Sequence, residues 1–191
     1  MYICIVVKHG NFKTKRRDNS RIVQLMEVKN FNIMDEKTFF MKQALKQAQY
    51  AYNNNEVPIG AVIVQDGKII ARGYNKREKY QDVTLHAEII AIKKACKKLN
   101  SWRLNDCEIY VTLEPCPMCM GAIIQSRIKK IFYAAKDPKG GALGSVVDLG
   151  RAKLFNHNVD IEDGVLEKES AELIKNFFKE KRLLAKFDKA K

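Results

Sequence analysis

The chain has 191 residues, 46% hydrophobic and 30% charged, with a formal net charge of +13. That is enough for one domain with a sizeable core. No apolar run approaches the ~18–20 residues that span a bilayer, and five cysteines in a chain of this length do not make a disulfide framework. The first apolar stretch, Tyr2 to Val7, is shorter than the ~7–15 residues of a signal-peptide core, and its charges follow the apolar run instead of preceding it. A cytoplasmic protein is expected.

The charge is unevenly placed. Residues 1–33 and residues 175–191 each hold seven Lys/Arg against two acids, a net of +5 at either end, which leaves +3 for the middle. Either the ends are solvated decoration, or they form an electrostatic footprint for a polyanion, most simply nucleic acid.

In chain order, residues 1–33 show no sustained period and a basic run from Lys13 to Arg17. They are expected to be a flexible extension, with Met26 or Met34 as a candidate natural start. Phe40, Ala44, Leu45, Ala48 and Tyr52 repeat at helical spacing behind Asp35 as N-cap. Two β-rich runs around Asp66-Gly67 predict a hairpin, Val57–Val64 and Lys68–Tyr74. A polar loop, Asn75 to Val83, leads into a helix from about His86 to Leu99, with Leu85, Ile89, Ile92, Cys96 and Leu99 as its apolar stripe. A strand over Glu108–Leu113, a helix from Pro117 to about Gln125 and a strand over Lys130–Ala135 follow. Residues 136–150 are glycine-rich and read as a loop, and a last helix runs from about Glu167 to Phe187. Strand–helix–strand units favour parallel pairing. The sum is an α/β fold, a mixed sheet with an antiparallel edge and helices on both faces.

Chemistry concentrates in two short strings, His86-Ala87-Glu88 and Pro115-Cys116-Pro117-Met118-Cys119. Cys116 and Cys119 are three apart, with Pro117 suited to the first turn of a helix. An i, i+3 pair at a helix N-terminus can point at one ion, and the positive end of the dipole favours thiolates. His86 begins a second predicted helix. Three such ligands around zinc leave one tetrahedral position for water, as in catalytic rather than structural sites. Zinc lowers the pKa of that water towards neutrality, and Glu88 can carry its proton. Two residues along a helix rotate a side chain by about 200°, so Glu88 joins His86 at one site only at an irregular first turn. A structural zinc would need a fourth ligand, and His157, Cys107, Cys96, Cys4 and His9 are the remaining candidates.

The two strings match H-x-E…P-C-x-x-C, a known signature of zinc nucleobase deaminases and not one deduced from this chain. The chain resembles the cytidine/deoxycytidylate deaminase superfamily, and within it the bacterial tRNA-specific adenosine deaminases, over about residues 36–185. The likeness is carried by Glu56 to Val62, Gly73-Tyr74-Asn75, His86 to Ile89, Tyr110 to Cys119, Ser126-Arg127-Ile128, Asp137-Pro138-Lys139, Gly144-Ser145 and Asn156-His157. Phe177-Phe178 before a basic cluster adds to it.

The resemblance implies a three-layer α/β/α cytidine-deaminase-like fold with a mixed, mainly five-stranded sheet. It implies a deaminase domain over 34–188 with a basic C-terminal helix, about 167–187. It implies one Zn2+ per subunit held by His86, Cys116 and Cys119, with Glu88 as catalytic proton shuttle. Asn75 would hydrogen-bond the flipped nucleotide, and the backbone at Ala87 would face the base edge. Asp137 and Asn156 match positions lining an RNA cleft, and Phe178 and Arg182 match the helix that meets the anticodon loop. Asn75 as a strand end, Asp137 as a turn residue and both phenylalanines in the core stay open as duller readings.

The implied activity is hydrolytic deamination of adenosine to inosine at the wobble position of a tRNA anticodon, with an arginine tRNA as partner and a homodimer as the assembly. A deaminase of a free base or nucleoside, and a non-catalytic zinc-bearing RNA-binding protein, remain as alternatives.

Overall fold

Asp66 and Gly67 both take positive φ, 50° and 68°, the backbone that a two-residue type I′ hairpin turn requires. Around them β1 (Gly60–Gln65) folds back antiparallel on β2 (Lys68–Tyr74). The computed structural model describes residues 35–152 and 155–189. The expected extension, 1–33, lies outside the described residues.

The hairpin is preceded by α1 (Glu36–Asn53) and followed by a one-turn α2 (Arg77–Tyr80) and α3 (Ala87–Leu99). Then come β3 (Cys107–Leu113), α4 (Pro117–Gln125), β4 (Lys130–Ala135), β5 (Asp160–Asp163) and α5 (Glu167–Lys189). The five strands form one sheet in the order β2-β1-β3-β4-β5. β1 is antiparallel to both β2 and β3, while β3, β4 and β5 run parallel.

The central strands are apolar on both faces, as strands covered on both sides must be. Ala61, Ile63, Ile109, Val111, Ile131 and Tyr133 face one core, shared with Ala87, Ala91 and Ala95 of α3 and with Met120 and Ile123 of α4. The alternate residues Val62, Val64, Tyr110, Phe132 and Ala134 face a second core with Phe40, Met41 and Ala44 of α1. The period-2 alternation therefore builds a three-layer α/β/α arrangement.

Two glycines set how closely helices approach this sheet. A Cβ on Gly60 would overlap the backbone of α1 at Ala44 and Ala48, and one on Gly73 would overlap Ala87 O of α3. The apolar face of α3 is accordingly the alanine row 87-91-95 with Ile92 beside it, and Cys96 and Leu99 pack against its edge. Of the stripe expected from sequence, Ile92 is buried in this core while Leu85 and Ile89 are half-buried, because β2 and α3 meet too closely for bulk along the alanine row.

Asp35 stands at the N-cap of α1 but makes no side-chain cap hydrogen bond. β5 and α2 fall where no regular element is expected from sequence. β5 is four residues with one apolar side chain, Ile161, at a sheet edge. Its Glu162 pairs with Lys37 of α1 and Lys130 of β4 at 2.6 and 2.9 Å, so polar contacts hold what hydrophobicity does not mark. No described helix is long and apolar enough to cross a membrane.

Candidate active site

The carboxyl ends of parallel strands are where open α/β sheets present their ligands, and here the two chemistry-bearing strings meet beside the ends of β3 and β4. Both begin helices. His86 is the N-cap of α3 and Cys116 the N-cap of α4, each with extended backbone (φ −76°, ψ 155° and φ −72°, ψ 168°). Their carbonyls accept the first helical bonds, from Ile90 and Met120, while neither side chain caps its helix. The side chains turn to each other instead. Nδ1 of His86 lies 3.6 Å from Sγ of Cys116 and 3.5 Å from Sγ of Cys119, and the three donor atoms lie within 4.8 Å of one another.

These separations fit a metal ion. Bonds of ~2.3 Å to sulfur and ~2.05 Å to nitrogen at a tetrahedral angle hold S and N about 3.6 Å apart. The charges fit as well. The Cys119 thiol hydrogen-bonds the Cys116 sulfur and, with His86 beside it, brings Cys116 down to about 4. Giving that hydrogen bond, together with burial, pushes Cys119 up, and the hydrogen bond to Cys116 raises His86. Two adjacent sulfurs become thiolates together only with a positive charge between them.

Among the described residues, no fourth side chain joins this group. His157 Nε2 is 2.8 Å from Ile128 O. Cys107 is buried in the core, where desolvation pushes its thiol up to about 11. Cys96 is turned to Trp102 O. Cys4 and His9 lie outside the described residues. Among the described residues, none of the fourth-ligand candidates His157, Cys107 and Cys96 joins the three donors.

Because His86 precedes the helix, the 200° step that set Glu88 against it does not apply. Glu88 is 3% exposed, and its Oε2 is a buried polar atom without a hydrogen-bond partner among the described residues. Burial raises its carboxyl above the ordinary range. A buried carboxyl oxygen left unpaired costs stability and marks a group held for something that enters the site.

Asn75 supplies what His86 withholds. Its Oδ1 accepts the N–H of Ala87 at 2.9 Å, satisfying one of the helix's orphan donors. That bond fixes which end of the amide is oxygen and which is NH2. The Ala87 N–H is therefore committed inside the protein.

A cleft of about 480 Å³ opens over His86 and Asn75. Val57, Ile59, Leu113 and Ala135 form apolar walls, and Ala171, Ile174, Lys175 and Phe178 line it from one face of α5. Arg77, Lys136, Lys139 and Lys175 make its lining basic, with Asp137 among them. Asp137 is both a lining residue and a turn residue, since its Oδ1 accepts the Lys139 N–H at 3.0 Å. Phe177 is 5% exposed and packs edge-on to Tyr52, while Phe178 is 42% exposed at the cleft. The adjacent pair therefore splits between core and surface. Arg182 is exposed one turn beyond Phe178 on the same face, outside the lining. Asn156 is exposed in the bend before β5 and does not line the cleft.

Sequence reasoning missed the basic lining and two buried acids. Glu56 accepts the N–H groups of Glu78 and Lys79 at 3.0 and 2.7 Å and so holds α2, which carries Arg77. Glu114 braces the loop after β4. Only the presence of an acid inside each apolar strand-end segment could have signalled them.

The profile of the MafB19-like deaminases matches residues 34–182. The chain is similar to the tRNA-specific adenosine deaminase of Bacillus subtilis, 47% identical over 78% of this chain and 92% of the relative. It is also similar to that of Agrobacterium fabrum, 49% identical over 78% and 99%. A solved structure from a study of A-to-I editing by tRNA:A34 deaminases at the wobble position is 48% identical, with a TM-score of 0.69 over 71% of this chain and 99% of the other. A guanine deaminase from Nitrosomonas europaea, 21% identical with a TM-score of 0.63 over 89% and 98%, shares the fold. With the family profile matched over residues 34–182 and nearly half of the aligned residues identical across almost the full length of the two tRNA-specific relatives, the chain belongs to the MafB19-like deaminases and, among them, to the tRNA-specific adenosine deaminase family.

Proposed function

We propose that this chain hydrolyses adenosine to inosine at the wobble position of a tRNA anticodon, with Glu88 moving the protons. The observation that carries the reading is an unpartnered, buried Glu88 oxygen beside three converging metal donors under a basic-lined cleft. His86, Cys116 and Cys119 would hold one zinc ion per subunit, a donor set suited to it. Zinc bound there supplies Lewis-acid chemistry that makes water a nucleophile near neutral pH.

The adenosine leaves its stack at a cost of a few kcal/mol and enters the cleft. Asn75 donates its NH2 to the base. Phe178 offers a ring face to a neighbouring base, a contact worth about 1–3 kcal/mol. The lysines and Arg77 meet phosphates, and Asp137, Asn156 and Arg182 are assigned to the RNA around the entrance. Water oxygen bonds to C6. Glu88 takes one proton from the water and gives it to N1, then takes the second from the C6 hydroxyl and gives it to the departing amine; the C6–N bond breaks, ammonia leaves and C6 keeps a carbonyl oxygen. A raised carboxyl pKa suits a group that must both accept and return a proton.

Residues 34–188 are assigned to this domain. An arginine tRNA, a homodimer and a cytoplasmic location complete the reading and rest on the family resemblance. Incubation with a wobble-adenosine tRNA followed by sequencing is expected to show inosine at that one position, with free guanine and cytidine unchanged. Turnover of the free base or nucleoside without tRNA editing would place the chain with small-molecule deaminases.

A further inference from the structure

Glu114 lies two residues before Cys116, is 2% exposed, and has no ion-pair partner among the described residues. Its carboxylate is satisfied by one loop. Oε1 accepts the N–H groups of Leu143 and Ser145 at 2.7 and 3.2 Å. Oε2 accepts the N–H of Asp137 at 3.1 Å and the Ser145 hydroxyl. Four donors on two oxygens nearly fill a carboxylate's capacity. Gly141 completes the fit, because a Cβ there would lie within 2.6 Å of either oxygen.

The same loop forms the cleft wall through Lys136, Asp137 and Lys139. One side chain therefore ties the strand end that leads to Cys116 to the wall an RNA would meet. We infer that Glu114 is a positioning residue that sets this wall and hence substrate affinity, an inference that rests on the deaminase reading above. The geometry requires an acceptor at both oxygens. Glu114→Gln keeps the shape but turns an NH2 towards N–H or O–H donors, which frees one side of the loop.

The test uses the zinc-loaded full chain and a wobble-adenosine anticodon stem-loop. For Glu114→Gln, KM is expected to rise about tenfold or more with kcat within about threefold. Zinc stays at one per chain, and the amides of Asp137, Leu143 and Ser145 exchange faster. Gly141→Ala, which keeps the carboxylate but crowds it, is expected to give the same KM signature. The double variant is expected to be no worse than the worse single, because both act through one contact.

Zinc loss from Glu114→Gln would put the residue's work at Cys116 and overturn the inference. So would a lowered Tm with KM unchanged. If Glu114→Gln does not fold, an unchanged KM in Gly141→Ala overturns it alone. A wild type that leaves the RNA unedited sinks the deaminase reading instead, and amide exchange then decides: slow exchange retained in Glu114→Gln, or in Gly141→Ala where that variant alone folds, contradicts the inference.

Discussion

Glu88→Ala is expected to lower kcat on a wobble-adenosine RNA by roughly 10²–10⁴-fold, the usual worth of a positioned proton-transfer group, while zinc stays bound. Glu88 lies outside the cluster of three donor atoms, so the metal does not depend on it. The same substitution is expected to leave Tm unchanged or raise it. Oε2 is buried without a partner, and removing that oxygen relieves a desolvation cost. Kinetics, zinc analysis and thermal unfolding on one preparation check all three. Near-normal deamination by Glu88→Ala means that another group moves the protons.

Cys119→Ala is expected to abolish both zinc binding and activity. Cys119 is fully buried, and its sulfur sits 3.5 Å from Nδ1 of His86, so no water can take its place without opening the start of α4. Metal bound only to the folded state stabilises it by about 4 kcal/mol at a thousandfold excess over Kd. The wild type should therefore lose Tm on treatment with a chelator and recover it with zinc. The Cys119→Ala protein should sit at the chelated value and ignore both. A variant that still gains Tm with zinc and keeps turnover would remove Cys119 from the ligand set.

The strands and helices that carry apolar periodicity were legible in the sequence. The hairpin at Asp66-Gly67 was readable because only a few residue pairs tolerate two positive φ values. Start residues for α4 were readable because Pro117 suits a first helical turn. β5 was not, since it is an edge strand with one apolar side chain, held by backbone pairing and by the ion pairs of Glu162. The stripe of α3 was legible at Ile92, which is buried in the core, but its alanine row was not, because Gly73 brings the backbone of α3 close against β2, a three-dimensional fact that helical period alone does not contain.

The three donor positions were legible because metal-ligand types at fixed spacing are rare. The relation of Glu88 to His86 was not, because it turns on one residue's backbone: His86 is extended and sits just outside the helix. The cleft's basic lining was dispersed over Arg77, Lys136, Lys139 and Lys175, which no local window brings together. Asn156, by contrast, carries a motif match yet lies exposed and outside the cleft lining.

X-ray absorption at the zinc edge of the loaded protein is the most direct test of the central claim, three protein donors with one position left for solvent. The expected spectrum has two sulfurs near ~2.3 Å, one imidazole nitrogen near ~2.0 Å and one further light atom exchangeable with added small anions. A third sulfur, a second imidazole, or a shell that no added ligand alters would mean a closed structural site and contradict the account.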